Sequence, residues 1–159
     1  MKLKEILIIF LLVLLDQITK ILCIKYLKPI DSFKIIENFF YLSYVENEGA
    51  AFGIFQGARY IFIILTILVL IFCFYYCGKI KVSKFSIISK ISFILVISGA
   101  IGNLIDRAFK GYVVDMFHFI FFGNSFAVFN IADIFVVCGT ILFVLIILFN
   151  DTKKDKGVL

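Results

Sequence analysis

Apolar residues in this chain fill long unbroken runs, and the polar positions gather between the runs or close to their ends. From Ile6 to Leu15 ten successive residues are apolar before Asp16, Gln17, Thr19 and Lys20 intervene, and the run closes at Tyr26. Residues 60–77 carry no charge. Residues 86–105 are apolar with Lys90 and several serines set among them, and residues 131–149 carry the single charge of Asp133. A helix rises ~1.5 Å per residue, so ~20 mostly apolar residues cross a hydrocarbon layer of ~30 Å. The pattern therefore predicts four spanning helices, over 6–26, 60–77, 86–105 and 131–149. Lys90, near a helix end, is expected to extend its ammonium to the interface.

Between the runs the pattern changes. Phe39 to Val45 is aromatic and β-branched, which favours a strand, and Asn47 to Gly49 supplies a turn before Ala50, Ala51 and Phe52. Tyr112 to Phe122 and Ser125 to Phe129 read as a second strand pair around Gly123 and Asn124. Unpaired backbone amides cannot face lipid, so such segments must cover or line a cavity at the membrane surface. The expected fold is an all-α membrane protein of four transmembrane helices, with a small β-sheet formed by the extracytoplasmic loops. Residues 1–159 are expected to make a single integral membrane domain.

Composition agrees with that reading. At 159 residues, 63% hydrophobic, with a mean hydropathy of +1.12, the chain is too apolar for an ordinary soluble domain. The net charge of +5 comes from lysines clustered beside the apolar runs rather than along one helical face, which speaks for topology and against a nucleic-acid partner. Lys2 and Lys4, then Lys79, Lys81 and Lys84, then Lys153, Lys154 and Lys156 fall on one side of a four-span chain. The positive-inside tendency makes that side, with both termini, cytoplasmic. The bias is moderate, because the opposite loops hold Lys25, Lys28, Lys34, Arg59, Arg107 and Lys110 beside Asp31, Glu37, Glu46 and Glu48. Ile6 to Leu15 follows basic residues as a secretion signal would, but no small-residue cleavage site comes after it, so it is read as an uncleaved span.

The four-span topology brings acids together. Asp16 falls about two thirds of the way along the first helix, at ~1.5 Å per residue. Asp106 lies near the outer end of the third, Asp133 just inside the fourth, and Asp115 in the loop between them. Carboxylates near hydrocarbon are costly, so function is the default hypothesis for them. Gly99, Asn103 and Asp106 share one face of the third helix, and Asn130 and Asp133 repeat the spacing at the fourth. The asparagines can bond carboxylates or a substrate carbonyl. Gly99 and Gly102 admit close approach of another backbone or of an extended substrate. Arg107 offers a fixed fork of donors and is equally suited to interfacial anchoring.

Two adjacent carboxylates that share one proton can hydrolyse an amide, one activating water and the other protonating or bonding the carbonyl. Other chemistries fit less well. No serine sits in a Gly-x-Ser-x-Gly turn, and His118 is the only histidine, read here as interfacial. Cys23, Cys73, Cys77 and Cys138 lie in spans, where apolar surroundings favour inert thiols over metal ligands. A metal-dependent lipid phosphotransferase is the main alternative, since carboxylates at a membrane surface can hold magnesium against phosphate. An ion pathway through Asp16, Asp106 and Asp133 is a third, and it requires polar residues on the cytoplasmic half as well.

Five segments carry a more specific signal: Asp16-Gln17-Ile18-Thr19-Lys20, Asn47-Glu48-Gly49-Ala50-Ala51-Phe52, the stretch from Gly99 to Arg107, Val113-Val114-Asp115, and Phe129-Asn130-Ile131-Ala132-Asp133. In this order they resemble the motifs of bacterial lipoprotein signal peptidase, also called signal peptidase II, across almost the whole chain. The resemblance implies an intramembrane aspartyl protease of the bacterial cytoplasmic membrane. Such an enzyme removes the signal peptide from a prolipoprotein, just before a cysteine that carries diacylglycerol, near the outer leaflet. By matched position Asp115 and Asp133 would be the catalytic pair. Asp16, Asn47, Gly99, Asn103, Asp106, Arg107, Asn130 and Ala132 would bind substrate or support the dyad. Glu46 departs from the pattern, where many relatives have a basic residue. No cofactor or metal is implied, the partners are the lipidated precursors and membrane lipids, and the expected state is a monomer.

Overall fold

The computed structural model describes residues 1–49, 55, 57–79 and 84–154. Ala50, Ala51, Phe52, Lys81 and Lys156 of the patterns above lie outside them. The elements run α1 (Leu3–Tyr26), β1 (Ser32–Ile36), β2 (Phe40–Asn47), α2 (Arg59–Lys79), α3 (Lys84–Phe109), β3 (Val113–Phe121), β4 (Asn124–Ser125) and α4 (Ile131–Lys154). Each helix contains a stretch long and apolar enough to cross a membrane. The four apolar runs are thus four spans, and the third continues past residue 105, so that Asp106 lies on the helix as expected and Arg107 occupies helix rather than loop.

Lipid tails are as apolar as leucine, so these helices need not hide their aliphatic side chains and instead pack through small residues and polar contacts. Leu7, Phe10, Leu11, Phe72, Leu145 and Leu148 stay exposed on the outer surface of the bundle. Half of the spanning stretch of α3 is buried (50%), against 17–22% for the other three, which identifies α3 as the central helix. This explains its weaker hydropathy. Ser92 donates to the Gly139 carbonyl at 2.8 Å and Ser98 to the Ile94 carbonyl at 2.7 Å. A Cβ on Gly139 would stand 2.8 Å from the Ser92 carbonyl oxygen, and one on Gly99 would run into the carbonyl of Ala132. Gly99 and Gly139 therefore let α4 close onto α3. Ile9, Leu70, Cys73, Phe93, Ile94, Ile97 and Ala100 fill the middle of the bundle.

Lys90 departs from expectation. Instead of reaching the interface it pairs with Glu5 at 2.9 Å, and Glu5 also accepts the Lys2 backbone N–H at 2.7 Å. A buried acid on the neighbouring helix is simply nearer than water. The contacts Glu5–Lys90 at one end and Asp16–Lys20–Asp106 at the other show α1 and α3 running parallel. Between these two polar levels lies the apolar cluster around Ile9, Phe93 and Ile97. Among the described residues it interrupts the polar continuity that an ion pathway would need.

The strands form one antiparallel sheet in the order β1-β2-β3-β4 at the end of the bundle that holds Asp16 and Asp106. It is seated on Cys23, Val114 and Met116, with Ile24, Leu27 and Tyr112 packed around them. The sequence pattern did not single out β1. Every residue of that strand is exposed, so no buried face imprints an alternation on it, and only pairing with β2 makes it a strand. The predicted second strand of the later pair is also shorter than expected. Phe122 (φ 51°) and Gly123 (φ 77°) make a two-residue turn with both φ positive, joining Phe121 to Asn124. Pairing stops at Ser125 and returns only as an isolated bridge between Phe117 and Phe129. His118 is held within the sheet between Ser43 (3.2 Å) and Ser125 (2.7 Å).

Candidate active site

Asp133 is oriented by the start of α4. Asn130 is its N-cap: the Asn130 side-chain oxygen accepts the Asp133 N–H at 3.0 Å, and an Asp133 carboxylate oxygen accepts the Asn130 N–H at 3.1 Å. This reciprocal capping box follows from Asn and Asp three residues apart. The other Asp133 oxygen accepts from Asn103 on α3 at 2.7 Å. Asp115 stands on β3, opposite Val45 of β2. Its oxygens accept from the amide groups of Asn47 at 2.8 Å and Asn130 at 2.6 Å. Asn130 therefore joins the two acids, its side chain reaching Asp115 and its backbone N–H reaching Asp133. All four carboxylate oxygens receive an N–H from a neutral group.

Behind this pair lies a sealed ionic layer. Asp16, Lys20 and Asp106 are fully buried. The Lys20 ammonium contacts Asp16 at 2.9 Å, Asp106 at 3.4 Å and the Asn103 side-chain oxygen at 3.0 Å. The second oxygen of Asp16 accepts the Ala132 N–H at 3.0 Å. One oxygen of Asp106 accepts the Val114 N–H at 3.0 Å, while Lys110 lies 2.9 Å from the other. Gln17 adds donors to Asp16 and to the Gly102 carbonyl, both at 3.1 Å. A Cβ on Gly102 would collide with the Asp16 carboxylate. Gly99 and Gly102 therefore make room for α4 and Asp16, not for an extended substrate.

Sequence reasoning brought all ten candidate residues to one end of the fold, and the structure gathers them there. It missed Lys20 and Gln17 as members of the cluster. Lys20 is four residues after Asp16, a spacing that puts a cation on the same helical face as the acid inside an apolar span, and that signal was available. Glu46 lies next to Asn47 but bonds Lys28 at 3.0 Å and Tyr44 at 2.6 Å on the exposed surface. It is a tie of the β2 strand to the end of α1.

Asn47, Arg107, Asp115 and Asp133 share a cavity of about 550 Å³ whose remaining wall is apolar, from residues 126–129 and Ile134, Val136 and Val137. Ile134 and Val137 are exposed on the outer face of α4, so the cavity edge meets the lipid side of the bundle. Cys138 lines it as an exposed free thiol, in contrast to the buried Cys23, Cys73 and Cys77. Arg107 donates to the Gly49 carbonyl at 3.2 Å and stacks its guanidinium 5.1 Å from the Phe62 ring centre. Its buried Nε has no partner among the described residues. Burial, and then the facing charge of Asp133, push the Asp115 carboxyl up to about 7. A carboxyl so raised holds a proton through the acidic range up to neutrality.

Comparison with known proteins shows the family. The family model described as signal peptidase (SPase) II matches residues 8–149. A lipoprotein signal peptidase of Clostridioides difficile is 47% identical over 94% of this chain and 97% of its own length. One from Clostridium acetobutylicum is 46% identical over 97% and 99%. A bacterial membrane enzyme solved by the in meso method at 2.3 Å resolution superposes with a TM-score of 0.81 at 38% identity, over 95% of this chain and 90% of that one. On the extent of these matches, the chain belongs to the signal peptidase II family.

Proposed function

We propose that the chain is an intramembrane aspartyl endopeptidase that removes signal peptides from diacylglyceryl-modified prolipoproteins, cutting on the N-terminal side of the lipidated cysteine, with Asp115 and Asp133 as its catalytic pair. The observation that carries this reading is the bonding of the two acids. They face one cavity, are joined through Asn130, and among the described residues take only neutral N–H donors on their four oxygens. Nothing in that set neutralises either carboxylate, so repulsion between them favours holding one proton in common.

In the working enzyme, Asp133, half open to the cavity, takes a proton from the attacking water as its oxygen adds to the scissile carbonyl. Asp115, buried and protonated near neutrality, gives its proton to the carbonyl oxygen. Collapse of the tetrahedral intermediate returns a proton to the leaving nitrogen, and the roles exchange. The first turn of α4 lends its positive dipole end to the charge that develops beside Asp133. The Nε of Arg107, unbonded among the described residues, is placed to donate to a backbone carbonyl of the substrate. The apolar wall from residues 126–129 and α4 accepts the signal helix and acyl chains from the lipid side. Since every group of the site comes from one chain, a monomer suffices. The sheet end faces outward, with both termini cytoplasmic, in keeping with Lys4 at the start of α1 and Lys79 at the end of α2.

The metal-dependent phosphotransferase is disfavoured by the same bonds, because a metal would have to displace an N–H donor from each carboxylate oxygen it used. The deciding experiment is cleavage of a purified diacylglyceryl-modified precursor. Wild type cuts it with or without chelator, and Asp115→Asn and Asp133→Asn each lose at least ~10³-fold in turnover while remaining folded. Proton loss from the pair sets an alkaline limb of the rate near pH 7. Appreciable turnover by either variant, or dependence on an added divalent ion, would remove the dyad from the reaction.

A further inference from the structure

We propose that Lys20 is the positioning residue for both acids of the dyad: one buried ammonium sets the direction of the Asn103 amide and holds the two carboxylates that clamp the chain immediately before Asp115 and Asp133. The proposal rests on the dyad assignment above and concerns a residue that touches neither acid.

The geometry is close to symmetrical about Lys20. Its three contacts, to Asp16, Asp106 and the Asn103 oxygen, use the three donors of an ammonium. An asparagine amide can face either way in a buried site, and only one orientation presents its N–H₂ to Asp133. With Lys20 donating to the Asn103 oxygen at 3.0 Å, and Asn130 to the same oxygen at 3.3 Å, that orientation is the only one that avoids opposing two donors. The Asn103 nitrogen is thereby committed to Asp133 at 2.7 Å.

The carboxylates that flank Lys20 do parallel work. Asp16 accepts the N–H of Ala132, the residue before Asp133, and Asp106 accepts the N–H of Val114, the residue before Asp115. These bonds tie α4 and β3 to the α1–α3 pair, so the separation of the two acids is set by a shared ionic centre. Without the cation, two buried carboxylates would confront each other with only Gln17 and Lys110 nearby. One of them would then have to protonate or move.

Three readouts test this. In Lys20→Met, of similar length and apolar, kcat falls about 100-fold while KM stays within about threefold, because precise placement rather than binding is lost. The alkaline limb of the rate moves to higher pH, since a positive charge that favours ionised Asp115 is gone. Amide hydrogen exchange at Ala132 and Val114 accelerates relative to the rest of α4 and β3, and this can be read without any substrate.

Because the single variant leaves two facing acids, Lys20→Met is also combined with Asp16→Asn. That pair keeps an acceptor for the Ala132 N–H and balances the charge removed. Compared with Asp16→Asn alone, it should still lose about tenfold or more in kcat, because Asn103 has lost the nearer of its two orienting donors. Turnover within about twofold of Asp16→Asn, or unchanged exchange at both amides in Lys20→Met, overturns the proposal. Failure of both Lys20 variants to fold would overturn it too, reassigning Lys20 to stability alone. Inactive wild type on the lipidated precursor would refute the proposed function, while the exchange measurement would still judge the clamp.

Discussion

Two pairs of aspartates sit side by side at one end of this bundle and behave as opposites. Asp16 and Asp106 are sealed from solvent and share the Lys20 ammonium. Among the described residues Asp115 and Asp133 take only amide donors, and of the two only Asp133 is partly exposed to the cavity they line. The residue type is the same throughout. What differs is whether a cation stands between the carboxylates. With one present, both carboxylates are paired and act as fixed acceptors for backbone N–H groups. With none, repulsion and burial retain a proton, and a proton that is retained near neutrality is one that can be transferred.

Removing a member of the ionic pair should expose the contrast most strongly. Asp16→Ala leaves buried Lys20 short of a partner and Ala132 without its acceptor, a change expected to cost about 3–5 kcal/mol. Asp133→Ala loses a capping bond at a half-open site and should cost only about 1 kcal/mol. Unfolding both variants in the same detergent, by heat or denaturant, compares them directly. Equal losses would mean that the two pairs are energetically alike and that the comparison fails.

A second, somewhat smaller effect distinguishes the pairs by pH. Asp115 is raised from an ordinary 3.8 to about 7, so between these values the folded state binds more protons than the unfolded one. The contribution is fully present below about pH 4 and is lost as pH rises through about 7. It amounts to something on the order of a few kcal/mol. Stability of wild type measured from pH 4 to pH 8 should therefore decline relative to Asp115→Asn, which lacks the titrating group. Parallel curves would show that burial does not perturb this carboxyl.

The smallest effect is expected from an acid that belongs to neither pair. Glu46 and Lys28 are 40% and 52% exposed at their side chains, and an exposed ion pair contributes about 0–1 kcal/mol. Glu46→Gln should shift stability by no more than that and leave cleavage within about twofold. A larger loss of activity would mean that the β2 tie to α1 governs how Asn47 reaches Asp115.

Much of this was legible from residue order. The four apolar runs had to be spans, because no other arrangement satisfies their backbone in lipid. The helical spacing put Gly99, Asn103 and Asp106 on one face of the third helix and set Asn130 and Asp133 together at the start of the fourth. Lys20 and Lys90 were harder. Lys20 has Asp16 four residues before it and Lys90 is the single charge of its run, but their other partners, Asp106 with Asn103 for Lys20 and Glu5 for Lys90, sit more than 80 residues away in the chain. The β1 strand was invisible for a related reason, since an exposed edge strand takes its conformation from pairing and not from burial.

Hydropathy and helical periodicity act along the chain, and by themselves they determined four crossings and the level at which the acids gather. Tertiary structure alone decided how charge was partitioned. The close approach of α3 and α4 at Gly99 and Gly139, and the placing of the α1 lysine between Asp16 and Asp106, gave one pair of carboxylates a common cation and left the other to neutral amide donors. Electrostatic energy depends on separation in space and on burial, and neither quantity is written in the order of residues.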